Sequence, residues 1–271
     1  PSPTPSKPAS RNAAVQQLDL FARNDANTQV SNNATAQSDM SASSNADSNT
    51  TTPADGGANT PQNITLESIK TVAHEYHLVE GLEAAQELCD KLVNAPLISL
   101  DTETTSTNAI DAELVGLSFA IKAFEAWYVA IPADRNEAQQ IVNIFKPLYE
   151  NKESIKIGQN IKYDYEVLRN YGVDIQGTIY DTMLAHYVIQ PELRHNMDFM
   201  AETILHYQTV HIEELIGPKG KNQKSMRDLA PNQVYEYAAE DADVTLRLWK
   251  AIEPKLKEVG AEKLFTDIEM P

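Results

Sequence analysis

Leu97-Ile98-Ser99-Leu100-Asp101-Thr102-Glu103 is the stretch on which the fold turns. A brief apolar run that ends in acids reads as a buried strand with carboxylates at its C-terminal end. Residues i and i+2 of a strand point to one side, about 6.6–6.8 Å apart. Asp101 and Glu103 therefore present two carboxylates to one small space. A lone Asp-x-Glu is a common strand end, so its meaning depends on what else folds onto it.

Outward from this strand, Glu75–Val79 reads as a short strand and Gly81–Asn94 as a helix, with Leu82, Ala85, Leu88 and Leu92 on one face. Leu114–Ile121 and Ala126–Ile131 are strand candidates, and their short connection predicts an antiparallel pair. Glu137–Tyr149 is an amphipathic helix, Ile155–Gly158 a strand, and a helix follows over about 163–171. From Asp181 onward the pattern is helical: Thr182–Ile189, Met197–Leu205 and Pro231 to about Val259. The order predicts an α/β fold with a mixed sheet flanked by helices.

The first 63 of the 271 residues are of another kind, rich in Ser, Thr, Asn, Ala, Gln and Pro, with Phe21 as their one aromatic. Such a composition buries too little apolar surface to offset chain entropy. Residues 1–63 are expected to be a disordered linker, and 64–271 one folded domain. The net charge is −17, and the linker's three basic and five acidic residues leave about −15 on the domain. This balance argues against a broad basic surface for duplex DNA. An acidic site still handles nucleic acid where divalent cations bridge it to phosphates. Cys89, the single cysteine, excludes an internal disulfide. With no signal-like or membrane-length apolar run, the expectation is a soluble cytoplasmic protein. A start at Pro1 and a stop at Glu269-Met270-Pro271 read as a piece of a longer chain.

Two further segments bring acids. In Gln159-Asn160-Ile161-Lys162-Tyr163-Asp164, the aspartate falls in the first turn of a helix, where a carboxylate also complements the helix dipole. In Tyr237-Ala238-Ala239-Glu240-Asp241-Ala242-Asp243, Tyr237 and Asp241 are four apart and share a helical face. Glu240 and Asp243 fit a solvated acidic surface. The three alanines suit close packing on the sheet. Four acids around one strand end repel and raise one another's pKa unless cations lie between them. Two divalent ions, about 3.5–4 Å apart in such sites, meet that need and favour in-line attack on a phosphodiester. Oxygen ligands indicate Mg²⁺ or Mn²⁺ rather than zinc.

These three segments resemble the exonuclease motifs of bacterial family A DNA polymerases, the DNA polymerase I type. So do Leu114-Val115-Gly116-Leu117-Ser118-Phe119-Ala120, Asp181-Thr182-Met183-Leu184, Lys219-Gly220-Lys221-Asn222-Gln223 and Ile268-Glu269-Met270-Pro271. The resemblance runs from about residue 75 to the end, where that family's polymerase domain would begin. It implies a ribonuclease H-like fold and 3′→5′ proofreading of a single-stranded DNA 3′ end. By motif, Asp101 would bridge two metals, Glu103 and Asp241 would complete the tighter site, and Asp164 would hold the second ion largely through water. Tyr237 and Glu103 would orient the attacking water, as in the tyrosine-type branch. Gln159, Asn160, Tyr163 and Arg194 fall at positions resembling nucleotide contacts.

Two residues depart from the family pattern. Thr107 stands where a leucine wedges the terminal base, and Ile212 where an aromatic stacks. Stacking contributes about 1–3 kcal/mol per base, so weaker strand binding with catalysis kept is the expectation.

The loop Lys219–Lys224 is locally basic and reads as a phosphate guide, with Lys219 and Lys221 as DNA contacts. His195, His206 and His211 lack metal-like spacing. Gln17-Leu18-Asp19-Leu20-Phe21 resembles the short peptide by which bacterial replication proteins dock on the sliding clamp. Two rival readings are a free-standing ribonuclease D-like exonuclease acting on RNA and a catalytically idle scaffold with a clamp-recruiting linker. The polymerase-like tail speaks against the first, the four intact acids against the second.

Overall fold

A computed structural model describes residues 65–270. The Gln17–Phe21 segment and the remainder of the expected linker lie outside them. In chain order the elements are β1 Glu67–Ser68, β2 Glu75–Val79, α1 Leu82–Leu92, β3 Leu97–Thr104, β4 Leu114–Lys122, β5 Glu125–Ala130, α2 Arg135–Tyr149, β6 Ile155–Gly158 and α3 Ile161–Arg169. There follow β7 Ile179–Asp181, α4 Thr182–Ile189, α5 Met197–Met200, β8 Tyr207–Gln208, α6 Ile212–Ile216, a 3₁₀ turn Met226–Asp228, α7 Pro231–Glu258 and α8 Glu262–Leu264.

Six strands form a mixed sheet in the order β2-β5-β4-β3-β6-β7. The run β3-β4-β5 is antiparallel, while β2 joins β5, and β6 joins β3 and β7, in parallel. Period-two alternation, interrupted at Val115 where the β3–β4 register shifts, sorts the strand residues into two apolar layers. Ile98, Leu100, Leu117, Phe119, Trp127 and Val129 pack with α1, α2 and α3. Val115, Ala120, Ala126, Tyr128 and Ile157 pack with α4 and α7 on the other face. Ala238, Ala239 and Ala242 are fully buried, so small side chains let α7 lie across β2–β6 as their spacing predicts.

Two of the expected helices differ in detail. The helix expected from about residue 163 begins at Ile161, after Asn160 adopts a left-handed conformation (φ 59°). Met197–Leu205 is helical throughout but passes from α5 into a π turn at Ala201–Leu205. β7 was not expected: three residues are too few to show a period. Its last residue, Asp181, caps α4 by accepting from the Met183 and Leu184 amides, and also accepts from those of Asn160 and Ile161 at 3.1 and 3.0 Å. One buried carboxylate thereby fixes the first turns of both α3 and α4.

Candidate active site

From β3 the chain passes to β4 on one side and returns as β6 on the other. Such a reversal opens a crevice at the carboxyl ends of the parallel strands. Asp101 and Glu103 stand at that end of β3. Each face of the sheet sends an acid to meet them, Asp164 from α3 and Asp241 from α7.

Carboxylate oxygens of Asp101, Glu103 and Asp241 lie within 4.8 Å of one another. Glu103 and Asp241 are each 7% exposed and Asp164 3%. Asp164 accepts a 2.6 Å bond from the Thr102 hydroxyl, so Thr102 holds it beside the two strand acids. None of the four forms an ion pair with a lysine or arginine of the described residues.

Electrostatics follow from that geometry. Burial, partly offset by the Thr102 amide, pushes Asp101 up to about 6. Burial and then the neighbouring carboxylates push Glu103, Asp164 and Asp241 well above the usual range. Crowded carboxylates with oxygen donors and no counter-charge suit a hard divalent cation.

Tyr237 lies over the same group. Burial, then the charges of Asp241, Glu103 and Asp101, raise its phenol well above its ordinary value. The hydroxyl keeps its proton at neutral pH and donates a hydrogen bond to the Asp241 carboxylate.

A cleft of about 460 Å³ opens beside Glu103, walled by Thr102–Thr107 on one side and by Ile212, Ile216 and Gln223–Met226 on the other. Asn160 and Tyr163 line it. The Tyr163 hydroxyl bonds to Thr104 and to the Ser106 carbonyl, and so fixes the wall that carries Thr107. Gln159 points elsewhere: its amide donates to the His195 carbonyl at 2.7 Å and accepts from the Thr182 hydroxyl. Arg194 is exposed, its guanidinium 5.9 Å from the Phe199 ring centre. Lys219 and Lys221 are exposed on their loop and do not line the cleft, whereas Gln223 and Lys224 do. His195 shares a 2.8 Å Nδ1–Nδ1 contact with His186, and His211 faces Asp198 at 3.3 Å.

Glu240 and Asp243 correct the reading of a solvated acidic face, since both are fully buried. Glu240 accepts from the Tyr207 hydroxyl at 2.6 Å and the Val210 amide at 2.8 Å. Asp243 accepts from the Tyr76 hydroxyl and the Phe124 amide at 2.9 and 2.6 Å, and pairs with Arg247 at 3.4 Å. Sequence reasoning also missed Asp181. Its signal was available in the residue itself, an aspartate immediately before a helical run.

The mixed sheet and its flanking helices are of the ribonuclease H-like fold. Residues 76–257 match the family model described as 3′-5′ exonuclease, and the chain belongs to that family. It is 42% identical over 191 residues to DNA polymerase I of Pseudomonas aeruginosa, covering 67% of this chain and 21% of that protein. With DNA polymerase I of Borreliella burgdorferi it shares 34% identity over 213 residues, 76% of this chain and 23% of the relative. The chain thus spans about a fifth of the length of these curated relatives. Similar solved folds include Brucella melitensis NrnC (TM-score 0.55, 18% identity, 71% of this chain and 85% of that one). Trypanosoma brucei RNase D is another (TM-score 0.56, 18% identity, 67% and 66%). No helix of the described residues is long and apolar enough to cross a membrane.

Proposed function

We propose that this domain is the proofreading module of a DNA polymerase I, removing nucleotides one at a time from a single-stranded DNA 3′ end. The observation that carries the proposal is the convergence of Asp101, Glu103 and Asp241 oxygens within 4.8 Å, beside Asp164, with no lysine or arginine of the described residues paired to them. Those four carboxylates would hold two divalent cations, Mg²⁺ or Mn²⁺. When bound, such ions neutralise the cluster, polarise the scissile phosphodiester and favour deprotonation of water.

The chain's own groups do the rest. Asp101 would serve both ions, Glu103 and Asp241 would complete the tighter site, and Asp164, held by Thr102, would serve the other. The Tyr237 hydroxyl donates, and Glu103 accepts, hydrogen bonds that aim the attacking water. Attack on phosphorus breaks the P–O3′ bond, frees a nucleoside 5′-monophosphate and leaves a new 3′-hydroxyl. Asn160 and Tyr163, which line the cleft, are proposed to contact the strand, and Gln159, Arg194, Lys219 and Lys221, which do not line it, are proposed as further contacts outside it.

In this reading residues 1–63 are a linker to an upstream domain, a polymerase domain of the same chain follows, and the protein works in the cytoplasm. Gln17–Phe21 would dock on the sliding clamp. The isolated peptide should bind the cognate clamp, and a lack of measurable binding removes that part.

The central test is shortening of a 5′-labelled single-stranded oligonucleotide. Stepwise loss from the 3′ end should require Mg²⁺ or Mn²⁺ and disappear in Asp101→Ala and Asp164→Ala. Full activity in excess chelator, or in either variant, overturns the mechanism. Faster degradation of RNA than of DNA favours the ribonuclease D-like reading instead.

A further inference from the structure

We propose that Lys224 is a strand-holding residue, binding a backbone phosphate upstream of the scissile bond, so that grip on the strand in this cleft is chiefly electrostatic. This rests on the proposed DNA exonuclease reading. Glu103 lines the cleft at the edge of the acid cluster, and the domain carries about −15 by formal count. A polyanion entering it is repelled at every point except where cations stand. Among the described residues that line the cleft, Lys224 alone is a cation.

Its setting is that of a receptor and not of a structural lysine. The exposed side chain makes no hydrogen bond or ion pair among the described residues, while the backbone around it is fixed on both sides. The Lys224 amide donates to the Ile216 carbonyl at 2.9 Å, which ties it to the end of α6. Next in sequence, the Ser225 amide donates to Asp228 at 2.9 Å and the Ser225 hydroxyl accepts from the Arg227 amide. Arg227 in turn is clamped to the Ile131 carbonyl at 2.6 Å and to that of Leu114. A free ammonium on an anchored stem suits a phosphate, which needs charge without a fixed fork geometry.

The rest of the lining gives the second reason. Thr107 and Ile212, in the same cleft, replace the wedge and the stacking ring that the family resemblance leads one to expect. Beside the apolar Ile212, Ile216 and Met226, its lining brings hydroxyls and amides from Thr102, Thr104, Thr105, Ser106, Asn160 and Gln223. Such a surface suits sugar and phosphate better than the faces of bases. Charge is left as the main source of hold.

The test compares wild type, Lys224→Ala and Lys224→Arg on a 5′-labelled oligothymidylate in Mg²⁺, from about 50 to 200 mM salt. Lys224→Ala should raise KM about five- to tenfold with kcat within about twofold, and Lys224→Arg should restore KM. Because one phosphate contact on a single strand contributes about 0.7 to the slope of log affinity against log salt, the slope should fall by about that amount in Lys224→Ala. An unchanged KM and slope, a loss confined to kcat, or a rise in KM with the wild-type slope each overturns the assignment. Asp101→Ala serves as the separate control. Wild type inactive on single-stranded DNA sinks the underlying reading, whereas an active wild type, a dead Asp101→Ala and a wild-type-like Lys224→Ala sink this inference alone.

Discussion

Within four residues of α7 the chain places acids in two opposite situations. Asp241 faces the strand end with Asp101 and Glu103, and no cationic side chain of the described residues answers it. Glu240 and Asp243, just before and after, are buried as deeply yet have their oxygens taken by Tyr207, Val210, Tyr76, Phe124 and Arg247. Arg247 lies between the rings of Phe124 and Tyr207, 4.4 and 4.5 Å from their centres. Burial therefore does not separate function from scaffold here. Crowding does: a buried carboxylate whose neighbours are donors is a strut, and a group of buried carboxylates set against one another, with no cationic side chain of the described residues among them, is a demand for a cation.

The largest effect should come from the crowded set. Asp101→Ala or Asp164→Ala is expected to lower kcat/KM on single-stranded DNA about 10³-fold or more, equivalent to about 4 kcal/mol of lost transition-state stabilisation. Thermal stability in chelator should not fall, because the substitution removes a repelling charge. A variant that melts much earlier would move these residues into the scaffold group.

The struts should behave in the opposite way. Asp243→Ala leaves Arg247 buried without its counter-charge and frees the Phe124 amide, a loss of about 3–5 kcal/mol. Urea denaturation should show the midpoint shift, while activity per folded molecule stays near wild type. Activity lost without destabilisation would break the division.

How far the sequence foresaw this division depends on what sets it. Strand and helix periods put Asp101 with Glu103 at one strand end and Tyr237 with Asp241 on one helical face, but the family resemblance was needed to join them and Asp164 into one expected site. The struts were not legible. Helical spacing cannot show that α7 is covered all round, nor that Asp243 meets a tyrosine 167 positions away and an amide 119 away. The sheet's membership was legible from apolar runs, but β7 was too short to register. Lys219, Lys221 and Lys224 look alike in sequence, and only the loop's path brings the last to the cleft.

Between the two sets lies the floor under Glu103. Gly116 pairs with Glu103 across β3 and β4, and a Cβ there would stand 1.9 Å from Tyr128 Cε2. The Tyr128 hydroxyl is tied to the Val115 carbonyl at 3.1 Å, so the ring does not swing aside freely. Gly116→Ala should destabilise by about 1–3 kcal/mol through overpacking and also lower activity, since the displaced ring lies against the Glu103 strand. Stability lost with activity per folded molecule unchanged would show that the floor belongs to the scaffold alone.

The smallest effect tests the demand for a cation without any assay of cleavage. Carboxylates in the unfolded chain ionise near pH 4, whereas Asp101 in the folded, metal-free protein is pushed up to about 6 and its neighbours are pushed well above their usual range. Between those values the folded state binds more protons than the unfolded one, so stability falls as pH rises. The contribution of the cluster is complete below about pH 4 and is lost as pH climbs through 6 and beyond. In excess chelator, wild type should therefore melt lower at pH 7 than at pH 5 by more than Asp101→Asn does. At pH 7 that variant should melt higher than wild type by about 2–4 °C, corresponding to about 1 kcal/mol. Added Mg²⁺ should raise the wild-type melting temperature and erase or reverse the difference, because only the intact cluster gains the ion. If Asp101→Asn is no more stable than wild type in chelator, the four acids do not repel as their geometry requires, and the contrast between strut and site fails at its base.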